Sequence, residues 1–549
     1  MKRALAMALG AMMVAGSAAP AAAASHIDFS GYYRAYYKNE FNLGRQDNGY
    51  TDSYFGNRLH LDITFTPTDE IAVHWRLRGP HFSRWGQEGR NSIETKHIYG
   101  EIKQDWGTVY VGKLNEDFDN YGLASMGWQP SGDPMWTLFS PFDNGNEVDG
   151  VRYINRWDNG FQLIAQYGKV KDYWSNTDKT GGAGTYNEFY SDGDHDRFNV
   201  EGAYFWDGGG ASLGFEYNRD ATENPYNGAA KYGEEDRADY WFVNPAVMHS
   251  WGDFSVHFEG KFGWGTQEYA YSKGQAKVKD KDLSGYGLYL DMDYNYGPGN
   301  VMLAGWWVSG NAYDKKGTKS NALVDMGANF YPLVVAYNDT SSGTSRVSTK
   351  GGNSNANAVS VANDVDNFLT GGAMGAPAVG ETFLNGGTAA DFATFVTNGG
   401  AMRSQFRRDN GEANHWAIAL AGSHAFTDDI SMHYGVGYLS LVKPNYRVLG
   451  SVNHDGLGGF GTGYSGAKYT SQEKDLGWEV DLGFTFQLLD NLKFTTTFGY
   501  MFTGDAYKEL KGYSAGDVTG LGGAAHQVKA VWKDGDDAYS WLNTLTFSF

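Results

Sequence analysis

The sequence predicts an all-β chain, because its hydrophobic residues recur with a period of two and its turn signals form a regular series. In one such run Leu59, Leu61 and Ile63 share one face, and polar side chains occupy the other. Tight turns alternate with long loops along the chain, and the last strand is amphipathic and ends on Phe549. Together these features are typical of a transmembrane antiparallel β-barrel.

Tight turns rich in Gly, Asp, Asn and Pro separate pairs of strands. They lie at 67–70, 104–107, 157–160, 206–210, 249–253, 296–300, 426–430 and 488–491. Longer polar stretches lie at 39–53, 80–93, 115–148, 170–194, 220–238, 267–282, 311–412, 444–473 and 505–537. These connections join about 18 strands, with 16 as the alternative, and predict short periplasmic turns and long extracellular loops. His526 to Trp532 is assigned to the last loop, although it could form a strand.

The first residues predict an export signal. A basic start is followed by an apolar run from Ala4 to Val14 and by small residues up to Ala24. The mature chain is therefore expected to leave the cytoplasm. The predicted parts are a signal peptide at 1–24 and one barrel domain at 25–549, with a long extracellular loop at 311–412.

Composition excludes several classes of protein. The chain has 549 residues and no cysteine, so a disulfide framework and a thiolate metal site are excluded. Its 44 basic and 64 acidic side chains give a formal charge of −20, which opposes binding to nucleic acid. A mean hydropathy of −0.49 excludes a helical membrane protein, but it allows strands that show lipid an apolar residue at every second position.

Aromatic residues mark the predicted membrane interfaces and the chain end. Neighbouring aromatics near strand ends, such as Trp241-Phe242 and Trp306-Trp307, predict interfacial girdles. The final strand resembles the signal that the barrel-assembly machinery recognises. A soluble edge strand is the alternative, which is disfavoured because a bare apolar edge invites aggregation. The residues of the predicted assembly signal are Trp541, Leu545, Phe547 and Phe549.

The inner face of the first four strands is predicted to carry a ladder of basic groups. A barrel of this width cannot be filled by side chains, so its lumen is expected to hold water. The third long loop carries Glu116, Asp117 and Asp119. If this loop folds inward, it sets carboxylates across from the ladder and creates a transverse field that favours polar or charged solutes. The ladder consists of Arg34, Arg58, His60, His74, Arg76, Arg78 and His97.

Residues 99–113, with the acidic loop and Val151-Arg152-Tyr153 behind them, resemble the strand, turn, strand and constriction-loop sequence of general porins. With the signal, the strand spacing and the final Phe, the whole layout is similar to the homotrimeric outer-membrane porins of sulfate-reducing bacteria. The resemblance implies a homotrimer in a Gram-negative outer membrane, in contact with lipid and lipopolysaccharide, with the third loop folded into each lumen. The long seventh loop departs from the general pattern.

Other chemistry is sparse. Asp192, Asp194 and Asp196 alternate and could offer oxygens to Ca²⁺, but the glycine and distal Glu of an EF-hand loop are not in place. A solvated acidic loop is the alternative. The sequence contains no HExxH or GxSxG motif, so neither a catalytic residue nor another cofactor is predicted.

The predicted function is a water-filled channel for passive diffusion of small hydrophilic solutes and ions, without enzymatic activity. The alternatives are a substrate-specific outer-membrane channel, an outer-membrane enzyme with catalytic residues at the rim, and a secreted β-rich carbohydrate-binding protein. Charge selectivity stays open, because the acidic excess favours cations and the basic inner face favours anions.

Overall fold

Eighteen strands form one closed antiparallel barrel in a computed structural model of the chain. Twenty strands share the sheet, of which two have only two residues. The structure describes residues 26–41, 51–79, 83–85, 93–115, 147–171, 195–220, 235–269, 280–310, 319–321, 415–443, 474–505, 509–515, 528–533 and 537–549. The barrel strands are β1 His26–Phe41, β2 Thr51–Thr68, β3 Ile71–Arg78, β4 Glu94–Gln104, β5 Gly107–Asn115, β6 Glu147–Arg156, β7 Phe161–Lys171, β8 His195–Trp206, β9 Gly209–Asp220, β10 Glu235–Trp251, β11 Phe254–Tyr269, β12 Lys281–Asn295, β13 Gly299–Val308, β14 His415–Thr427, β15 Ile430–Leu441, β16 Asp475–Leu489, β17 Leu492–Thr503 and β18 Ala538–Ser548.

Pairing between the first and last strands closes the barrel. Residues Tyr32 to Phe41 of β1 pair with Ser548 to Tyr539 of β18. Below this ladder, the Gly31 N–H donates to the Phe549 carbonyl at 2.9 Å, and the Phe549 N–H donates to the Gly31 carbonyl at 3.1 Å. The closed sheet therefore has no free edge.

The predicted series of connections is confirmed. Every predicted tight turn joins two neighbouring strands, and all of these turns lie at the end of the barrel that also carries Gly31 and Phe549. The count of 18 strands is confirmed, and the alternative of 16 is wrong. The short connections are 69–70, 105–106, 157–160, 207–208, 252–253, 296–298, 428–429 and 490–491.

Four short strands among the described residues lie outside the barrel wall. Ser83–Arg84 pairs with β2, and Lys319–Ser320 pairs in parallel with β12. Glu509–Ala515 and Val528–Lys533 form a separate two-stranded sheet. The segment that could form a strand in the last loop does so, but it contributes nothing to the barrel wall.

Side chains alternate between an apolar outer face and a polar inner face. Ile418 and Val480 point outward and are 47% and 46% exposed, whereas their chain neighbours Ala419 and Glu479 are buried. This alternation is the period of two seen in the sequence. No helix long and apolar enough to cross a membrane occurs in the part of the chain that the structure describes.

Neighbouring aromatic residues fall on opposite faces. Trp241 and Trp307 are exposed on the outside, whereas Phe242 and Trp306 are buried on the inside. The prediction that both members of such a pair belong to a girdle is therefore wrong, because successive strand residues point to opposite faces.

Several predicted segments fall outside the described residues. These are the signal peptide at 1–24 and, apart from 319–321, the loop at 311–412. The four residues of the predicted assembly signal, Trp541, Leu545, Phe547 and Phe549, are exposed on the outer face. Their recognition by the assembly machinery stays a prediction.

We expect Gly160→Ala to destabilise the barrel by about 1–3 kcal/mol, because Gly160 has a φ of 86° in the turn between β6 and β7. An added Cβ would also lie 2.4 Å from the Phe205 carbonyl oxygen. Gly202→Ala is the control, since its Cβ would meet no atom within 4 Å. Gel migration after heating to increasing temperatures measures both variants, and equal unfolding temperatures would contradict the expectation.

Candidate functional site

The inner faces of β1, β2 and β3 carry the predicted basic residues. The register places Arg34 opposite Arg58, and His60 opposite Arg78. His97 follows on β4, opposite Arg76. The structure therefore brings the predicted wall residues onto one patch, here called the basic wall. Its members are Arg34, Arg58, His60, His74, Arg76, Arg78 and His97.

Two arginines of the basic wall face each other across strands, which alone would be unfavourable. Neutral neighbours receive their hydrogen bonds. Arg34 Nε donates to Thr546 Oγ1 at 3.2 Å, and Arg58 Nε donates to His60 Nε2 at 2.9 Å. The Arg34 guanidinium also lies 5.1 Å from the centre of the Tyr32 ring, within the range of a cation–π contact.

The sequence prediction missed several carboxylates on the inner face. They neutralise part of the positive charge of the basic wall. Asp62 binds Arg76 with both oxygens, at 2.5 and 3.0 Å. His74 Nε2 lies 2.7 Å from Glu101 Oε2, and Arg78 Nη2 lies 2.6 Å from Glu94 Oε1. Asp62 shares the inward parity of Arg58 and His60, so the alternation that identified the arginines also contains the signal for this acid.

A recess of about 380 Å³ opens beside the basic wall, between β1 and β6. The Arg76 and Arg152 guanidinium groups, the His74 and His97 rings and two tyrosines contribute to its lining. Arg152 Nε donates to Gln166 Oε1 at 2.5 Å, so the guanidinium is held in place from β7. Donors of this kind suit carboxylate or phosphate groups. The tyrosines are Tyr99 and Tyr110.

A second inner patch is acidic and lies on β11 and β12. Glu259, Asp291 and Asp293, here called the acidic wall, are all buried. His257 lies between two of them, with Nε2 2.9 Å from Glu259 Oε1 and Nδ1 3.1 Å from Asp291 Oδ2. Asn300 Nδ2 donates to Asp293 Oδ1 at 2.9 Å.

A buried charge network adjoins the acidic wall. The Glu216 carboxylate forms ion pairs with Arg197 Nε at 3.4 Å and with Lys261 Nζ at 3.5 Å. The Lys261 ammonium also lies 4.5 Å from the centre of the Phe242 ring. The three charged residues are each at most 4% exposed. Such charges are stable inside a protein only when they are paired.

The two walls face each other across the barrel. In a ring of 18 strands, β2 and β11 are nine strands apart, and so are β3 and β12. The side of the lumen where arginines are concentrated thus faces the side where the buried carboxylates Glu259, Asp291 and Asp293 are concentrated. The sequence prediction expected the carboxylates from Glu116, Asp117 and Asp119, which lie outside the described residues. The barrel wall itself supplies carboxylates opposite the arginines.

The predicted calcium site stays a prediction, because only one of its three ligands lies in the described part of the chain. Asp192 and Asp194 lie outside the described residues, and Asp196 belongs to β8 rather than to a loop. Asp196 Oδ1 accepts a hydrogen bond from Tyr167 Oη at 3.1 Å and lies 3.5 Å from Lys169 Nζ. Among the described residues, no group of three or more His, Cys, Asp or Glu side chains is arranged to hold a metal.

A closed barrel with an apolar outer face and a charged inner face defines the class of outer-membrane β-barrel channels. A family model for Gram-negative porins matches residues 6–324 of the chain. Because the match spans more than half of the chain, the protein belongs to the Gram-negative porin family. It therefore lies in the outer membrane and forms a channel for the diffusion of solutes. The finer likeness to the porins of sulfate-reducing bacteria stays a prediction.

Solved structures with a similar course of the chain include two proteins of Pseudomonas aeruginosa. OccK2 (OpdF) in complex with glucuronate is 8% identical, with 95% of this chain and 98% of that chain covered and a TM-score of 0.44. OccK11 (OpdR) is 9% identical, with 95% and 96% covered and a TM-score of 0.43. The outer membrane channel DcaP of Acinetobacter baumannii is 10% identical, with 96% and 97% covered and a TM-score of 0.37. No curated protein sequence matches the chain.

We expect Arg197→Met to destabilise the barrel by about 3 kcal/mol, because it removes one cation from the buried Glu216 carboxylate. Unfolding by urea in lipid vesicles measures the loss. Lys103→Met is the control, since Lys103 lies 3.3 Å from Glu101 but its side chain is 56% exposed. An unfolding midpoint for Arg197→Met equal to that of the control would show that the network contributes nothing.

Proposed function

We propose that the protein forms an open, water-filled channel through which small hydrophilic solutes and ions diffuse passively, and that it catalyses no reaction. One observation carries the proposal: the basic and acidic walls face each other inside a barrel of 18 strands. Barrels of 16 to 18 strands leave an aqueous passage. The charges on the walls favour water and polar solutes over apolar ones, because they create a field across the lumen.

Selectivity between ions is proposed to be weak. Asp62, Glu94 and Glu101 offset part of the basic wall, and His257 and Lys261 lie beside the carboxylates on the other side. Neither sign of charge therefore dominates the described wall. A passage of this kind selects by size and polarity more than by charge.

The recess between β1 and β6 favours a second candidate function, a substrate-specific channel. The Arg152 guanidinium and the two tyrosine rings would hold a small organic anion during passage, whereas the Arg76 guanidinium is bound to Asp62, which also lines the recess. The two functions differ in concentration dependence. Flux of a dicarboxylate such as succinate would saturate in a specific channel and would rise linearly in a diffusion channel.

The homotrimer implied by the porin resemblance is part of the proposal, and the outer face supports it. Lys113, Asp149 and Lys169 pair in one register row on β5, β6 and β7 and point outward. They lie only six to eight residues from the short turns. At about 2.5 Å of height per residue, this row lies within the band of about 25 Å that lipid would cover. Charges at this depth are costly in lipid, so a second copy of the chain is the fitting neighbour.

The experiment that tests the channel is single-channel recording of the purified, unboiled protein in a planar bilayer, with reversal potentials in a salt gradient. Conductance steps in groups of three with weak selectivity are expected. Absence of conductance from folded, inserted protein would overturn the proposal. The partners proposed here are further copies of the chain, outer-membrane lipid and lipopolysaccharide, and the barrel-assembly machinery.

We expect charge removal on the two walls to move the reversal potential in opposite directions. Arg34→Gln with Arg58→Gln shifts it toward cation preference, and Glu259→Gln with Asp291→Asn shifts it toward anion preference, because each pair removes one pole of the field. Recording at low ionic strength gives the larger shifts, since screening is then weaker.

The control for these variants is Asp105→Asn, which removes an exposed charge in the short turn between β4 and β5. It is expected to leave the reversal potential unchanged. Shifts of equal sign from both wall variants would contradict the assignment of two opposed walls.

We expect Asp149→Arg to abolish the slow-migrating oligomer on unboiled gels. The new guanidinium would stand between Lys113 and Lys169 in the register row, which places three cations in a contact between copies. Asp105→Arg, at an exposed short turn, is the control and keeps the oligomer. An intact oligomer in the Asp149→Arg variant would place the contact between copies elsewhere.

A further inference from the structure

The recess between β1 and β6 lies where two inward positions of the wall are glycines. Tyr99 on β4 pairs in register with Gly112 on β5, and Gly112 pairs with Gly150 on β6. Tyr110 and Leu114, the inward neighbours of Gly112 on β5, both line the recess. Because a glycine projects no side chain into the lumen, the wall is hollow beside the Tyr99 ring.

Aromatic rings form one side of the recess. The His74 and Tyr99 rings stack with their centres 4.9 Å apart, and the Tyr110 ring meets the Tyr99 ring edge-on at 5.8 Å. His74 is held in orientation through both ring nitrogens, since Nδ1 lies 3.3 Å from Thr64 Oγ1 and Nε2 lies 2.7 Å from Glu101 Oε2. A fixed aromatic surface of this kind suits a flat apolar group, which packs against ring faces and edges.

His97 contributes a polar group whose Nδ1 atom lacks a partner. The residue is 6% exposed, and it lines the recess next to Tyr99 on the inner face of β4. The Nδ1 atom is buried and has no hydrogen-bond partner within the described ranges of the chain. A buried polar atom without a partner is unfavourable, so a ligand group that pairs with it gains binding free energy.

The charge around the recess favours an anionic partner for His97. Asp62 and Glu94 are paired with arginines of the basic wall. Three further guanidinium groups donate their Nε hydrogens to uncharged groups, namely a hydroxyl, an imidazole and an amide, and these bonds leave the positive charge uncancelled. They belong to Arg34, Arg58 and Arg152. An anion in the recess therefore lies in a positive field.

These features narrow the solute within the second candidate function. A flat ring fits the aromatic side, and one carboxylate group accepts a hydrogen bond from His97 in the field of Arg152. A carboxylate without a ring would leave the tyrosine rings in contact with water, so it would bind more weakly. The recess volume of about 380 Å³ is within the range of small-molecule sites.

We propose that the recess between β1 and β6 binds an aromatic carboxylate, with the ring against Tyr99 and Tyr110 and the carboxylate group against His97. The inference rests on the second candidate function, the substrate-specific channel, and deepens it by giving the class of solute. Binding is measured without conductance, so the test does not depend on transport.

The test is isothermal titration calorimetry of the full protein in detergent with benzoate. Acetate and benzamide are the comparison probes, since the first lacks the ring and the second lacks the charge. Benzoate is expected to bind at least tenfold more tightly than either. His97→Leu is expected to weaken benzoate binding about tenfold, because a hydrogen bond to a charged group is lost. His97→Asn keeps an N–H donor near the position of Nδ1 and is expected to restore most of the affinity.

A second variant tests the aromatic side of the recess. Tyr110→Leu is expected to weaken benzoate binding about fivefold and to leave acetate binding unchanged, because it removes a ring but no charge. Tyr240→Leu is the matched control and keeps the wild-type affinity. Tyr240 shares the inward face of β10 with Phe242, nine strands from β1.

Three outcomes would overturn the inference. Equal affinity for benzoate and acetate would mean that charge alone decides binding, and equal affinity for benzoate and benzamide would mean that the ring alone does. Wild-type affinity in His97→Leu would place the carboxylate group elsewhere. Conductance of the same samples separates this result from the channel. A barrel that conducts ions but binds no benzoate ends only this inference, whereas benzoate binding without conductance would end only the channel.

Discussion

Backbone closure between the first and last strands is the constraint on which the rest of the molecule depends. In hydrocarbon every unpaired N–H or C=O costs several kcal/mol, so a sheet with open edges is not stable there. The paired hydrogen bonds of Gly31 and Phe549 and the register from Tyr32 to Phe41 remove those edges. Closure also fixes which residues face lipid, because one register decides the parity of every strand. The charges then lie inside and the apolar side chains outside.

Charges on the inner face persist because most of them share their field with a neighbour. Asp62 with Arg76, and Glu216 with Arg197 and Lys261, are local pairs that limit the cost of removing charge from water. The two sides of the lumen differ in which charge is more abundant. Cations are more abundant around β2 and β3, and carboxylates are more abundant around β11 and β12. A wall of compensated pairs can therefore carry a field across the lumen without a large net charge.

The fold was predictable from the sequence because each turn is a local signal. Gly, Asp and Asn stand where the backbone must reverse, as at Gly160, and the period of two survives along whole strands. Local patterns also identified Arg34 and Arg58 as inward-facing. The prediction for adjacent aromatics such as Trp241 and Phe242 was wrong. It placed both residues in the girdle because both are aromatic, although neighbouring strand residues point to opposite faces.

The acidic side of the site could not be predicted in the same way. Glu259 and Asp291 are far in sequence from Arg58 and Arg76, and they face them only because 18 strands close into a ring. A sequence shows which residues of a strand share one face. Which strand lies across the lumen from it follows only from the number of strands and the closure of the barrel. Asp196, Arg219 and Asp239 on the outer face likewise meet only through the register of the strands.

The closing pair also sets an order of events. Arg34 and Thr546 are in contact although they are 512 positions apart, whereas every tight hairpin joins strands next to each other in sequence. Bringing two such distant segments together costs about 5–6 kcal/mol in loop entropy, and contacts of this separation form slowly. The hairpins can form early in folding. The pairing between β1 and β18 cannot form before the last residues of the chain are available. Until then the incomplete sheet exposes two edges with unpaired backbone groups. Closure of the barrel therefore competes with aggregation during folding.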